Sequence, residues 1–113
     1  MAIEGDLRDE GYDVVGTAHS AADAVAMANT ERPDIIVMDI RLVGLRDGID
    51  AAIEIYESIG IRSIFATAHG DPDTVSRARR AAPLGWVNKP YGRDSLLSAV
   101  EEGLRVLETP PGL

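Results

Sequence analysis

Four consecutive apolar residues, Ile35-Ile36-Val37-Met38, run without interruption into a charge at Asp39. A strand that is apolar at every position, rather than at alternate ones, has both faces covered, which is how the strands of a parallel α/β sheet are buried. Such a sheet needs helices between its strands, and the flanking sequence supplies them. Residues 1–10 read as a short helix with Ile3 and Leu7 four apart, ended by Gly11, and β-branched residues predict a strand over 12–18. Ser20 opens a helix, with Asp23 three residues on, and Pro33 bars its continuation past about Glu31.

Beyond Asp39, a polar loop over 41–48 leads to a helix of about 49–58, whose Ile49, Ala52, Ile53 and Tyr56 repeat at spacings of three and four, and Gly60 ends it. Residues 61–66 predict a strand; Asp71-Pro72 then provides an N-cap and a first helical position for a helix reaching about residue 82. A strand over 84–88 is closed by Lys89-Pro90, and a helix over 93–108 presents Leu96, Leu97, Val100, Leu104 and Leu107. Alternation of strands with helices implies parallel strands in one α/β domain over 1–108, with 109–113 as a flexible tail.

Composition closes off several function classes. The 113 residues suit one domain, and 45% apolar content is enough for a core. Eleven basic against nineteen acidic side chains leave a formal charge of −8, which offers no basic face for direct nucleic-acid or anionic-lipid binding. With no cysteine, disulfides, thiolate catalysis and cysteine-based zinc sites are excluded. No apolar run approaches the ~20 residues of a membrane span, and Glu4, Asp6, Arg8 and Asp9 break up any signal-peptide core, so a cytoplasmic location is expected.

In an open parallel sheet, ligands sit beyond the carboxyl ends of the strands. Three successive predicted strands deliver Asp39, Thr67 and Lys89 to that rim: a carboxylate, a hydroxyl and the only lysine beside ten arginines. A nucleophilic carboxylate with a hydroxyl and an ammonium to hold oxygens suits a phosphoryl group carried on Asp39.

The motifs Ile35 to Leu42, Asp47-Gly48-Ile49, Phe65-Ala66-Thr67-Ala68-His69 and Gly85-Trp86-Val87-Asn88-Lys89-Pro90 make the chain similar, over nearly its whole length, to the receiver domain of bacterial two-component response regulators. The resemblance implies a flavodoxin-like, doubly wound parallel sheet of order 2-1-3-4-5. It implies Asp39 as phosphoacceptor for a histidine kinase or phosphotransfer protein, and Thr67 and Lys89 as the groups that hold the phosphoryl oxygens. Trp86 would occupy the aromatic switch position, and Arg41, Ala68 and His69 would flank the site. Mg²⁺ would be the cofactor, held by Asp39 and the backbone carbonyl of Arg41. Output would pass to a downstream protein through the 72–108 face, which carries Arg77, Arg79 and Arg80.

The departures from that pattern are also legible. The chain opens inside the helix that should follow the first, central strand, which a truncation or a start codon placed too late would explain. The acidic pair that normally ends that strand is then absent, so Mg²⁺ binding is expected to be weak or lost. The edge of the 34–39 strand is expected to be unpaired, inviting dimerisation, strand exchange, a strand from another chain, displacement of the 12–18 strand, or poor solubility. Val43 and a loop one residue longer follow Asp39, and Pro83-Leu84 precedes the last strand; none of these touches the phosphoacceptor assignment.

Two functions follow: a phosphoacceptor switch, or a phosphorylation-independent pseudo-receiver that serves only as an interaction module. Enzymatic turnover is not expected. An aspartate-nucleophile phosphatase would want a second Asp where Arg41 stands, and no G-x-G-x-x-G, G-x-x-x-x-G-K-[ST] or G-x-S-x-G occurs. His19 and His69 are too few and too dispersed for a metal site.

Overall fold

A computed structural model of the chain describes residues 3–40, 47–67, 72–89 and 91–108. Five helices and three strands follow in the order α1 (Ile3–Asp9), α2 (Ala21–Glu31), β1 (Ile36–Asp39), α3 (Gly48–Ile59), β2 (Ser63–Thr67), α4 (Pro72–Ala78), a 3-10 turn (Arg79–Ala81), β3 (Gly85–Asn88) and α5 (Arg93–Glu108). The strands form one parallel sheet in the order β1-β2-β3. Ile36 lies opposite Ser63 and Asp39 opposite Ala66. Ile64 lies opposite Gly85 and Thr67 opposite Asn88.

Side chains alternate across a strand, and each face of this sheet meets its own helices. Met38 and Phe65 pack with Ile49, Ala52 and Ile55 of α3, with Ala28 of α2 and with Ala78 and Ala81. Ile64 and Val87 pack on the opposite face with Leu96 and Val100 of α5, joined by Ile35, Val37 and Leu84. This double covering is why every residue of β2 is buried and why the apolar runs lack a polar alternate. Gly103 lets α5 approach the sheet closely: a Cβ there would come 2.9 Å from Ile35 Cδ1 and 3.3 Å from Ile64 Cδ1.

The helix ends follow their residues. Ser20 Oγ accepts from the Asp23 N–H at 3.1 Å and caps α2. The other end of α2 closes on Arg32 in the left-handed region at φ 47°, its N–H donating to the Ala28 carbonyl at 3.0 Å, with Pro33 behind it. At the start of α3, Asp47 and Asp50 form a reciprocal capping box, each carboxylate accepting the other's backbone N–H. The helix expected over 72–82 is shorter: α4 ends at Ala78 and tightens into the 3-10 turn, closed by Ala82 at φ 50°. Its proposed Asp71 cap and the 109–113 tail lie outside the described residues.

The main correction concerns residues 12–18. They form neither strand nor helix, although their β-branched composition predicts a strand. A strand exists only by pairing, and the neighbour these residues would need, between them and β1, is not supplied by any described segment. They line instead one side of a cavity of about 1010 Å³ whose other side is formed by residues 34–39. The 2-1-3-4-5 expectation is thus met for its 3-4-5 half. No described helix is long and apolar enough to cross a membrane.

Candidate functional site

Parallel strands in register bring their carboxyl ends to one rim. Asp39 is the last residue of β1 and Thr67 the last of β2, while Lys89 directly follows β3. The rim is laced by backbone bonds: the Ile40 N–H donates to the Ala66 carbonyl at 3.3 Å and the Lys89 N–H to the Thr67 carbonyl at 2.8 Å. These contacts fix Lys89 so that its ammonium reaches across β2. Lys89 Nζ donates to Asp39 Oδ2 at 2.5 Å, a short charge-assisted bond between groups fifty residues apart in sequence. Both side chains keep solvent access, with relative exposures of 30% for Lys89 and 42% for Asp39. A carboxylate in that position can be reached by a second protein, with the ammonium beside it ready to take up negative charge on an added group.

Thr67 is buried at the end of β2, one position beyond the residue opposite Asp39. Trp86 lies opposite Phe65, ring centroids 5.1 Å apart and planes tilted by 33°, and packs into the α3 side of the core. Thr67 follows Phe65 by two and so lies on the same face of the sheet as that aromatic pair. Asp39, Thr67 and Lys89 are therefore brought to one end of the sheet, while Trp86 lies two positions before the end of β3, beside Phe65. Arg41, Ala68 and His69 lie outside the described residues.

Three features here were not anticipated as parts of the site. Gly48, the first residue of α3, is pressed against the phosphoacceptor candidate: a Cβ there would stand 2.0 Å from the Asp39 carbonyl oxygen, and its N–H donates to the Ile40 carbonyl at 2.8 Å. Tyr91 packs into the α5 side of the core; burial first, and then the negative charge of Asp39, push its phenol above the ordinary tyrosine range. Arg77 donates from Nη1 to Asp47 Oδ2 at 3.1 Å and from Nη2 to Asp50 Oδ1 at 3.3 Å, so α4 is tied to the capping box of α3. Burial alone would raise the Asp47 carboxyl; hydrogen bonds from Arg77 and the Asp50 N–H, with the Arg77 charge, hold it below the usual range instead. Gly48 stands in a quoted motif, but sequence reading assigned it no contact, because the close approach is a tertiary fact. Arg80 pairs with Glu57 at 3.2 Å, so two of the three arginines expected on a partner face are held by α3.

The implied Mg²⁺ can be tested against the donors present. No group of three or more His, Cys, Asp or Glu side chains that could hold a metal ion occurs among the described residues, and the carbonyl of Arg41 is not among them. Magnesium requires near-octahedral oxygen coordination; Asp39, already paired with Lys89, does not complete that set with the described residues.

Comparison with known proteins agrees with the geometry. Residues 1–101 match the sequence profile of the response regulator receiver domain. The transcriptional regulatory protein PdtaR of Mycobacterium tuberculosis is 39% identical over 95 residues, covering 84% of this chain and 46% of that protein. This chain thus spans about half the length of that relative. The chemotaxis protein CheY of Halobacterium salinarum is 30% identical over 100 residues, covering 88% of this chain and 82% of its own length. The receiver domain of a modulated diguanylate cyclase from Desulfovibrio desulfuricans superposes with a TM-score of 0.83 at 34% identity, covering 95% of this chain and 86% of that one. With its strand ends, its profile and its relatives in agreement, the chain belongs to the response regulator receiver domain family.

Proposed function

We propose that the chain is a phosphoacceptor of a two-component phosphorelay, with Asp39 taking the phosphoryl group from a phosphohistidine of a kinase or phosphotransfer protein. The observation that carries this reading is the solvent-accessible Asp39 carboxylate at the end of β1 with Lys89 Nζ on its Oδ2. In the transfer, a carboxylate oxygen bonds to phosphorus as the donor's P–N bond breaks, and the leaving imidazole takes up a proton. The Asp39–Lys89 pair then opens, and Lys89 binds a phosphoryl oxygen, where its charge is worth more than on a half-exposed carboxylate. Thr67, at the neighbouring strand end, turns its hydroxyl to a second oxygen. The space Thr67 leaves is on the face occupied by Phe65 and Trp86, so the packing of Trp86 changes and the 72–108 face is presented differently to a downstream protein.

The pseudo-receiver reading is favoured by one observation, the lack of a metal-holding group among the described residues. Incubation with acetyl phosphate and Mg²⁺, or with a phosphorylated histidine donor, beside an Asp39→Asn control, separates the two. An intact-mass increase of one phosphoryl group in the parent alone, lost on standing, supports the acceptor. No increase with either donor leaves the interaction module.

A further inference from the structure

The start of α3 is the wall against which the end of β1 rests. A Cβ at Gly48 would stand 2.0 Å from the Asp39 carbonyl oxygen, and the Gly48 N–H donates to the Ile40 carbonyl at 2.8 Å. Backbone lies against backbone there, with no flexible side chain between to absorb a shift. A displacement of the first turn of α3 is therefore passed on to the peptide that carries the Asp39 carboxylate. Whatever holds that turn also bears on Asp39.

The cap of α3 does not hold it alone. Asp47 Oδ1 accepts the Asp50 N–H at 3.0 Å and Asp50 Oδ2 accepts the Asp47 N–H at 3.2 Å. This reciprocal box sets two carboxylates close together, and like charges repel. Arg77, in the last turn of α4, bridges them. It donates from Nη1 to Asp47 Oδ2 at 3.1 Å, and from Nη2 to Asp47 Oδ1 at 3.2 Å and to Asp50 Oδ1 at 3.3 Å. The planar guanidinium fork thus spans both carboxylates, which a point charge would not do. Its base is firm, because the next residue, Ala78, is fully buried in the core that α3 shares. With Arg77 49% and Asp47 32% exposed, such a pair adds little to stability; what it fixes is geometry. We infer that Arg77 is a positioning residue for Asp39: from α4 it fixes the first turn of α3, and through Gly48 the backbone that aims the Asp39 carboxylate at Lys89 and at an incoming phosphoryl group. Its consequence for phosphoryl transfer rests on the acceptor reading of Asp39, whereas its effect on the Asp39–Lys89 pair does not.

Two readouts on the intact chain test this separately. Lys89 is the only lysine, so carbon-13 labelling of lysine at Cε gives one side-chain NMR signal, and Asp39→Asn shows where that signal lies once the ion pair is lost. Arg77→Gln removes the fork. Asp47→Asn keeps an N-cap acceptor and removes the charge that Arg77 grips. Each should move the Lys89 signal part of the way toward its Asp39→Asn position and slow phosphoryl uptake from acetyl phosphate about tenfold, and the double variant should do no more than either alone. Arg80→Gln is the control, since the Arg80–Glu57 pair ties the 3-10 turn to the far end of α3; it should change neither readout. An unmoved Lys89 signal in Arg77→Gln overturns the inference, as does an equal effect of Arg80→Gln, which would make any tether to α3 sufficient. Unchanged uptake in the variants of an active parent overturns it too. A parent that takes up no phosphoryl group removes the acceptor reading instead, and the Lys89 signal then decides alone whether Arg77 positions Asp39.

Discussion

Gly48→Ala should destabilise the domain, against the rule for glycine in a helix. Alanine at a helical position is ordinarily favoured over glycine by up to about 1 kcal/mol. Here the added methyl would stand 2.0 Å from the Asp39 carbonyl oxygen, 2.8 Å from its carbon and 3.0 Å from Ile40 Cα. All three are backbone atoms of the strand end and its successor, so no side-chain rotation relieves the overlap. Overpacking of this kind costs about 1–3 kcal/mol, and displacing α3 also weakens the Gly48 N–H bond to the Ile40 carbonyl, worth about 1 kcal/mol. The balance is a loss of about 1–3 kcal/mol, and with a urea slope of about 1.5 kcal/mol per molar the midpoint should fall by about 1–2 M. Two controls separate sterics from conformation. Gly92→Ala, where a Cβ meets nothing within 4 Å, should change stability by less than about 0.5 kcal/mol. Gly60→Ala, also in open space but at φ 75°, should cost about 1 kcal/mol through backbone strain alone. Since Asp39 must move to admit the methyl, phosphoryl uptake by Gly48→Ala should also slow at least about tenfold. A Gly48→Ala midpoint equal to or above that of Gly92→Ala would refute the reasoning.

Other expectations rest on single observations. Ser63 Oγ is buried without a hydrogen-bond partner, so Ser63→Ala should leave the urea midpoint unchanged or raise it, by up to about 1 kcal/mol in stability. Arg77→Gln should raise the Asp47 carboxyl pKa, read by NMR titration. Because that pKa is depressed in the folded chain, its stabilisation is present above the unfolded value of about 3.9 and is lost as pH falls through the folded one. The parent should therefore gain more stability than the variant between acid and neutral pH, and equal acid profiles would show the pair contributes nothing. In Asp39→Asn the phenol of Tyr91 should ionise at lower pH than in the parent, since one of the two causes that raise it is removed; ultraviolet difference titration reads this directly, and an unmoved midpoint would leave burial as the whole cause.

The legible part of the fold was the part carried by local pattern. Apolar runs that stop at Asp39, Thr67 and Lys89 mark strand ends in any parallel sheet, and the sheet's register then places those residues on one rim without further information. Long helices with a clear apolar stripe, α3 and α5, were also readable, as was the Ser20 cap. What escaped was everything set by a distant partner. The Arg77 clamp joins residues thirty apart, the Tyr91 shift depends on a carboxylate at another strand end, and the Gly48 contact is a matter of how closely a helix start abuts a strand.

Residues 12–18 show the same limit from the other side. Tyr12, Val14, Val15 and Thr17 have the composition of a strand, yet β propensity expresses fit to a pleated, half-buried surface rather than a preference of the isolated backbone. With β1 across a cavity of about 1010 Å³, that surface is missing, and no strand forms over 12–18. The opposite holds for β1, whose four residues keep their strand conformation because β2 satisfies one edge and α3 and α5 cover the faces.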